Sequence, residues 1–133
     1  MIEEIKVEWL RRLRSGDYDQ GTGFLHQVAG NVDRKDTYCC LGVLCEMAKE
    51  AGVVEKEKYT LSNTVYYRAV HDESDFSNTR LPGAVVHWAG LASNVPRVNS
   101  GLTVAELNDG SEEDDTLRSH TFEEIADEIE VSL

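Results

Sequence analysis

The chain has 133 residues, 41% of them hydrophobic and 29% charged, and carries a formal net charge of −12. Length and composition suit one domain with its own core, and they exclude wholesale disorder and a pair of independent domains. An excess of acid this large repels phosphate backbones, so no direct nucleic-acid binding is expected.

The N-terminal run Met1-Ile2-Glu3-Glu4-Ile5-Lys6 lacks the basic-then-apolar order of a secretion signal. Residues 2–14 instead predict a helix, with Ile2, Ile5, Trp9 and Leu13 on one stripe and Ser15-Gly16 as its stop. Asp17 to Gly23 is rich in turn formers and reads as a loop. Phe24–Val28 and Val32–Tyr38 predict a short hairpin about Ala29-Gly30-Asn31. Tyr38-Cys39-Cys40-Leu41-Gly42-Val43-Leu44-Cys45 opens a helix that is apolar nearly all round, so other elements must enclose it. Gly42 costs on the order of 1 kcal/mol in a helix interior, which predicts close approach by a neighbouring backbone. Thr64–Val70 predicts a strand, and His71–Thr79 a polar loop. Leu81-Pro82 begins a short helix with proline in its first turn, ending at Gly90. Thr103-Val104-Ala105-Glu106 and Thr121-Phe122-Glu123-Glu124 are capping boxes, and each starts a helix. Residues 110–120 join them as an acidic mobile loop. The expectation is α+β: a compact single domain over 1–133, with several short helices packed on a small antiparallel sheet.

No apolar run reaches the roughly 18 residues that a membrane span needs. Three cysteines within seven positions cannot tie distant segments together, which predicts a reducing, cytoplasmic setting. Between Glu106 and Glu130 eleven acids face one base, Arg118, so nearly all the excess charge lies in the last quarter. A solvated acidic surface is the ordinary reading of such a segment, and DNA mimicry through residues 106–130 is the functional one.

A thiol at a helix N-terminus is favoured as thiolate by the helix dipole, which admits a papain-like hydrolase with Cys39 as nucleophile. His87 would be its base and Asn108 or Asp109 the orienter. No local signature of such enzymes accompanies the run, and a buried core cysteine is the commoner reading. His26, His71, His87 and His120 show no ligand spacing, so no metal and no cofactor are expected. Tyr18 to Gly21 offers an aromatic face, an amide and free backbone, a set that suits a planar or amide-bearing ligand. Asn108-Asp109-Gly110 reads as a second polar grouping or as a simple helix end.

Several stretches stand in this order along the chain: Trp9-Leu10, Leu13-Arg14-Ser15-Gly16, Tyr18, Gln20-Gly21, Gly23, the cysteine run, Leu81-Pro82, Val85, Trp88-Ala89-Gly90-Leu91, Leu107-Asn108-Asp109 and Phe122 to Asp127. In these the chain resembles a widespread family of small proteins encoded by tailed bacteriophages and prophages. The resemblance implies an accessory binding protein of host takeover or anti-defence, acting in the host cell cytoplasm. Its partner would be a host protein that it blocks or a small nucleotide-like signal that it sequesters. The expected ligand pocket is lined by Tyr18, Gln20, Trp88, Asn108 and Asp109.

Overall fold

The computed structural model describes residues 1–30, 34–111 and 117–133. Five helices are present among them: α1 (Glu3–Ser15), α2 (Cys40–Glu50), α3 (Gly83–Ala89), α4 (Val104–Asp109) and α5 (Phe122–Ser132). Six strands form one sheet: β1 (Asp19–Gln20), β2 (His26–Gln27), β3 (Thr37–Tyr38), β4 (Val54–Lys58), β5 (Thr64–Ala69) and β6 (Asp72–Ser77). The fold is α+β, as the sequence predicts.

The α2 helix is the centre of the molecule. Cys40 to Cys45, Met47 and Ala48 are all buried, because α1, α4, β3 and β4 close around it. Trp9 of α1 is fully buried and donates its indole N–H to the Cys40 carbonyl at 2.9 Å. The amphipathic stripe of α5, Phe122, Ile125, Ala126 and Ile129, packs on α1 and α4. Both predicted capping boxes are formed, at Thr103/Glu106 and Thr121/Glu124. Acids in the first turn of α1 and arginines in its last complement the dipole, and Gly16 at φ 79° ends the helix. Pro82 is the N-cap of α3, one position earlier than the first-turn placement expected from the sequence.

The sheet runs β1-β3-β2-β5-β4, with β6 also paired to β5; β1–β3 is parallel and the other pairings are antiparallel. The expected hairpin is present as β2–β3, with His26 opposite Tyr38. Strand β5 is shared along one edge: its start pairs with β2 and its end with β6. The expectation of a loop over 71–79 is corrected by β6, which no hydrophobic alternation announces. Main-chain pairing to β5 holds β6 at a sheet edge, where burial asks little of its side chains. The charged strand β4 escapes the hydrophobic pattern for the same reason.

Side chains of β5 alternate between two environments. Val65, Tyr67 and Ala69 are buried, and the Tyr67 hydroxyl reaches Glu46 of α2 at 2.7 Å. Tyr66 and Arg68 point the other way and are only half-buried. No helix of the described residues is long and apolar enough to cross a membrane.

Candidate functional site

The five residues expected to line one pocket do not come together. Gln20, Asn108 and Asp109 form an internal knot. Asn108, 0% exposed, accepts from the Cys40 amide at 3.2 Å and from the Gln20 Nε2 at 3.1 Å through its Oδ1. Its Nδ2 donates to the Gly21 carbonyl and to the Asp109 carboxylate at 2.8 and 2.9 Å. Gln20 donates to the His120 carbonyl and accepts from the Phe122 amide. Cys40 and Phe122 are the first residues of α2 and α5, whose amides lack intrahelical acceptors. Asn108 and Gln20 therefore act as remote caps, and Asp109 holds the loop by accepting from the Gly23 amide at 3.1 Å. Tyr18 lies beside this knot, edge-on to Tyr38 and accepting from Arg12. Trp88 lies elsewhere, in a cavity whose walls include none of the other four.

The cysteines are enclosed. Cys39, Cys40 and Cys45 are free thiols and all buried, and burial pushes the Cys39 thiol up to about 11. Backbone amides of Gly42 and Leu41 act in the opposite direction, so the helix N-terminus has its expected sign. Desolvation outweighs it. His87, the base of the hydrolase reading, lines the Trp88 cavity, and Asn108 is spent on the Cys40 amide. Among the described residues no group of three or more His, Cys, Asp or Glu could hold a metal.

Glu112 to Asp115, the heart of the DNA-mimic reading and of the expected mobile loop, lie outside the described residues. The flanks of that loop are tied down: Ser111 donates to the Leu117 carbonyl, and Ser119 Oγ to the Asn108 carbonyl at 2.7 Å. Part of the described acid in this quarter is neutralised by pairing, Glu124 with Arg118 and Asp127 and Glu130 with Arg14.

A buried polar chain, unread in the sequence, crosses the inner face of the sheet. His26 Nε2 lies 2.8 Å from Asp36, its Nδ1 3.3 Å from the Tyr67 hydroxyl, and Tyr67 donates to Glu46, which Lys56 also reaches at 3.0 Å. Tyr38 stacks on the His26 ring at 4.3 Å between centroids. His26, Tyr67 and Glu46 spend their polar atoms on one another inside the fold, and the chain reaches the surface only at its ends, Asp36 and Lys56, so it binds elements together. Among the described residues no buried side-chain polar atom lacks a partner.

The open face of the sheet is different. Register places Tyr66 opposite Glu57, and Arg68 between Glu55 and Phe76. Tyr66 donates to Glu57, and Arg68 pairs with Glu55 at 3.0 Å, so both side chains are held flat across the strands. Tyr59, just after β4, lies 4.8 Å from Tyr66, and Phe76 lies 5.8 Å from it on the other side. These rings, with Lys58, Thr60, Arg68 and the acids Glu57 and Glu73, line a concavity of about 370 Å³. Phe76 is 52% exposed, and Leu61 on the adjoining β4–β5 turn is 99% exposed. Such aromatic and apolar exposure is not what solubility favours.

Residues 1–133 match one family model, described as Domain of unknown function (DUF8296). The chain belongs to that family. No curated protein and no solved structure matches it. The DUF8296 match spans both the Asn108 knot and the aromatic face, so both lie within the domain it defines. The face is not legible in the sequence because Tyr66 looks like an ordinary strand residue and Phe76 falls in a stretch polar enough to read as a loop. The available signal was the strand period, which puts Tyr66 and Arg68 opposite Val65 and Tyr67.

Proposed function

We propose that this chain is a binding protein that engages a protein partner through the open face of β4, β5 and β6. The single observation that carries this reading is the ring cluster Tyr59–Tyr66–Phe76, with Tyr66 at its centre, Arg68 beside it and Leu61 at its margin. Aromatic residues and arginine dominate the energetics of protein interfaces, and an apolar centre with a charged rim is the anatomy of a docking patch. The rim carries both signs, Glu57 and Glu73 with Lys58 and the Arg68–Glu55 pair, which selects a partner with complementary charges around an apolar centre. The phage-accessory resemblance gives the reading its setting: blocking a host factor in the cell where the protein is made.

The test uses the tagged chain as bait in bacterial lysate, followed by affinity measurement on the purified partner. Tyr66→Ala and Phe76→Ala should each weaken binding by about tenfold or more with unchanged melting temperature. Equal affinity in both variants overturns the reading. Concentration-dependent dimerisation lost in the same variants would assign the face to a second copy of the chain instead.

The same rings also favour a second reading, a small nucleotide-type ligand. The concavity offers the rings of Tyr59, Tyr66 and Phe76 as a platform for one planar base to lie against, with Lys58 and Arg68 near a phosphate. Thermal stabilisation by nucleosides or nucleotides, lost in Tyr66→Ala, would support it; no shift with any of them dismisses it.

A further inference from the structure

The Trp88 cavity is a separate place with a chemistry of its own. It lies between α3, the β5–β6 turn and the start of β4, and measures about 620 Å³, within the range of small-molecule sites. Gly52, Val53, Ala69 and Ala84 give it apolar walls. Its ionised wall groups are all acidic: Asp72 and Asp75 contribute, and no lysine or arginine does. Asp75 is already occupied, since its two oxygens accept from the Gly83 and Ala84 amides at 2.7 and 2.8 Å and so cap α3. Asp72 is half free. Its Oδ1 accepts from the amide and hydroxyl of Ser74, which keeps it ionised, while Oδ2 has no partner among the described residues.

Trp88 completes the wall. It is half-buried, and its indole N–H has no acceptor among the described residues. An indole face beside an apolar hollow attracts a cation. A free carboxylate at the same hollow adds to that attraction, and the overall charge of −12 raises the local concentration of cations. His71 and His87 also line the hollow, but no lysine or arginine stands there to hold an anion against the two carboxylates.

We propose that this cavity binds an organic cation with an apolar body, its positive group against Trp88 and its counter-charge supplied by Asp72. The occupant is thus an alkyl or aralkyl ammonium compound, and the site is independent of the aromatic sheet face.

The chain carries its own reporter. Trp9 is 0% exposed, so a fluorescence change on adding a small ligand to the native protein comes from Trp88. Three probes share one aromatic body and differ in charge: benzyltrimethylammonium, benzyl alcohol and benzoate. The expected result is saturable binding of the ammonium probe at least tenfold tighter than of the alcohol, with no saturation by benzoate. Asp72→Asn keeps an acceptor for Ser74, so it should fold, checked by its circular dichroism. It should weaken the ammonium probe at least fivefold and leave the alcohol unchanged. If Asp72→Asn proves misfolded, wild-type titrations at rising salt decide: the ammonium affinity should fall and the alcohol affinity should hold. Equal affinity for cation and alcohol, tighter benzoate, or no saturable change overturns the proposal.

Discussion

The carbonyl of Leu25 occupies the space that a side chain on Gly42 would need. A Cβ built on Gly42 would overlap the Leu25 carbonyl oxygen and carbon, and the Cys39 amide donates to that same oxygen at 3.3 Å. The segment leading into β2 therefore lies directly on the first turn of α2, and only glycine permits it. Alanine would gain helix propensity worth on the order of 1 kcal/mol. Steric overlap with a fixed backbone group outweighs that gain. Gly42→Ala should destabilise the protein by about 3 kcal/mol or more, read as a lower urea midpoint. A stabilised variant would show that the two backbones separate freely.

The three thiols should be inert in the native state. Burial raises the Cys39 thiol to about 11 and drives Cys40 and Cys45 well above the ordinary range, so little thiolate exists at neutral pH. Ellman's reagent should titrate all three within minutes in denaturant, while the native chain reacts only as fast as it opens. A single fast native thiol would revive Cys39 as a nucleophile.

Periodicity is legible where burial is one-sided or complete, and this chain shows the boundary. The stripes of α1 and α5, the apolar α2 and both capping boxes follow from residue spacing, because each depends on contacts within a few positions. Gly42 was legible for the same reason, since glycine in a buried helix has few other uses. The strands β4 and β6 were not: their partners lie on β5 and their side chains face mostly solvent. The polar residues Gln20, Asn108 and Asp109 read in the sequence as ligand-facing groups because their partners Cys40, Phe122 and Gly23 are far away along the chain. A polar group that caps a distant helix and one that binds a ligand look alike until the fold is known.

That distinction can be measured at Asn108. Replacing it with alanine strips the Cys40 amide and the Gly21 carbonyl of their side-chain partner at a fully buried position. Asn108→Ala should cost about 3 kcal/mol, since each orphaned buried group costs about 1–3 kcal/mol. Asn108→Asp should be no milder, because it brings a second carboxylate against Asp109 and loses the donor to Gly21. Urea unfolding of both variants checks this. A near-neutral Asn108→Ala would return the residue to the list of free, ligand-facing groups.

Acid should loosen the sheet through His26. Burial holds its imidazole below the ordinary value of about 6.5. The Asp36 hydrogen bond and the Glu46 and Asp36 charges pull upward, while Lys56 adds to the downward shift. Between the two values the unfolded chain binds more protons than the folded one, so stability rises with pH and falls on acidification from about 6.5. Asp36 acts in a lower window. The Ala29 amide and His26 hold its carboxyl below the ordinary 3.8, so its stabilisation is present above that value and is lost as pH falls through its folded one. Relief of the −12 repulsion works the other way down to the isoelectric point near 4.6, so the decisive quantity is a difference between two proteins. His26→Asn removes the imidazole titration. Its unfolding free energy, measured in urea at pH 7, 6 and 5, should fall less steeply with acid than that of the wild type. Parallel slopes would mean that His26 takes up its proton without disturbing Tyr67 and Asp36.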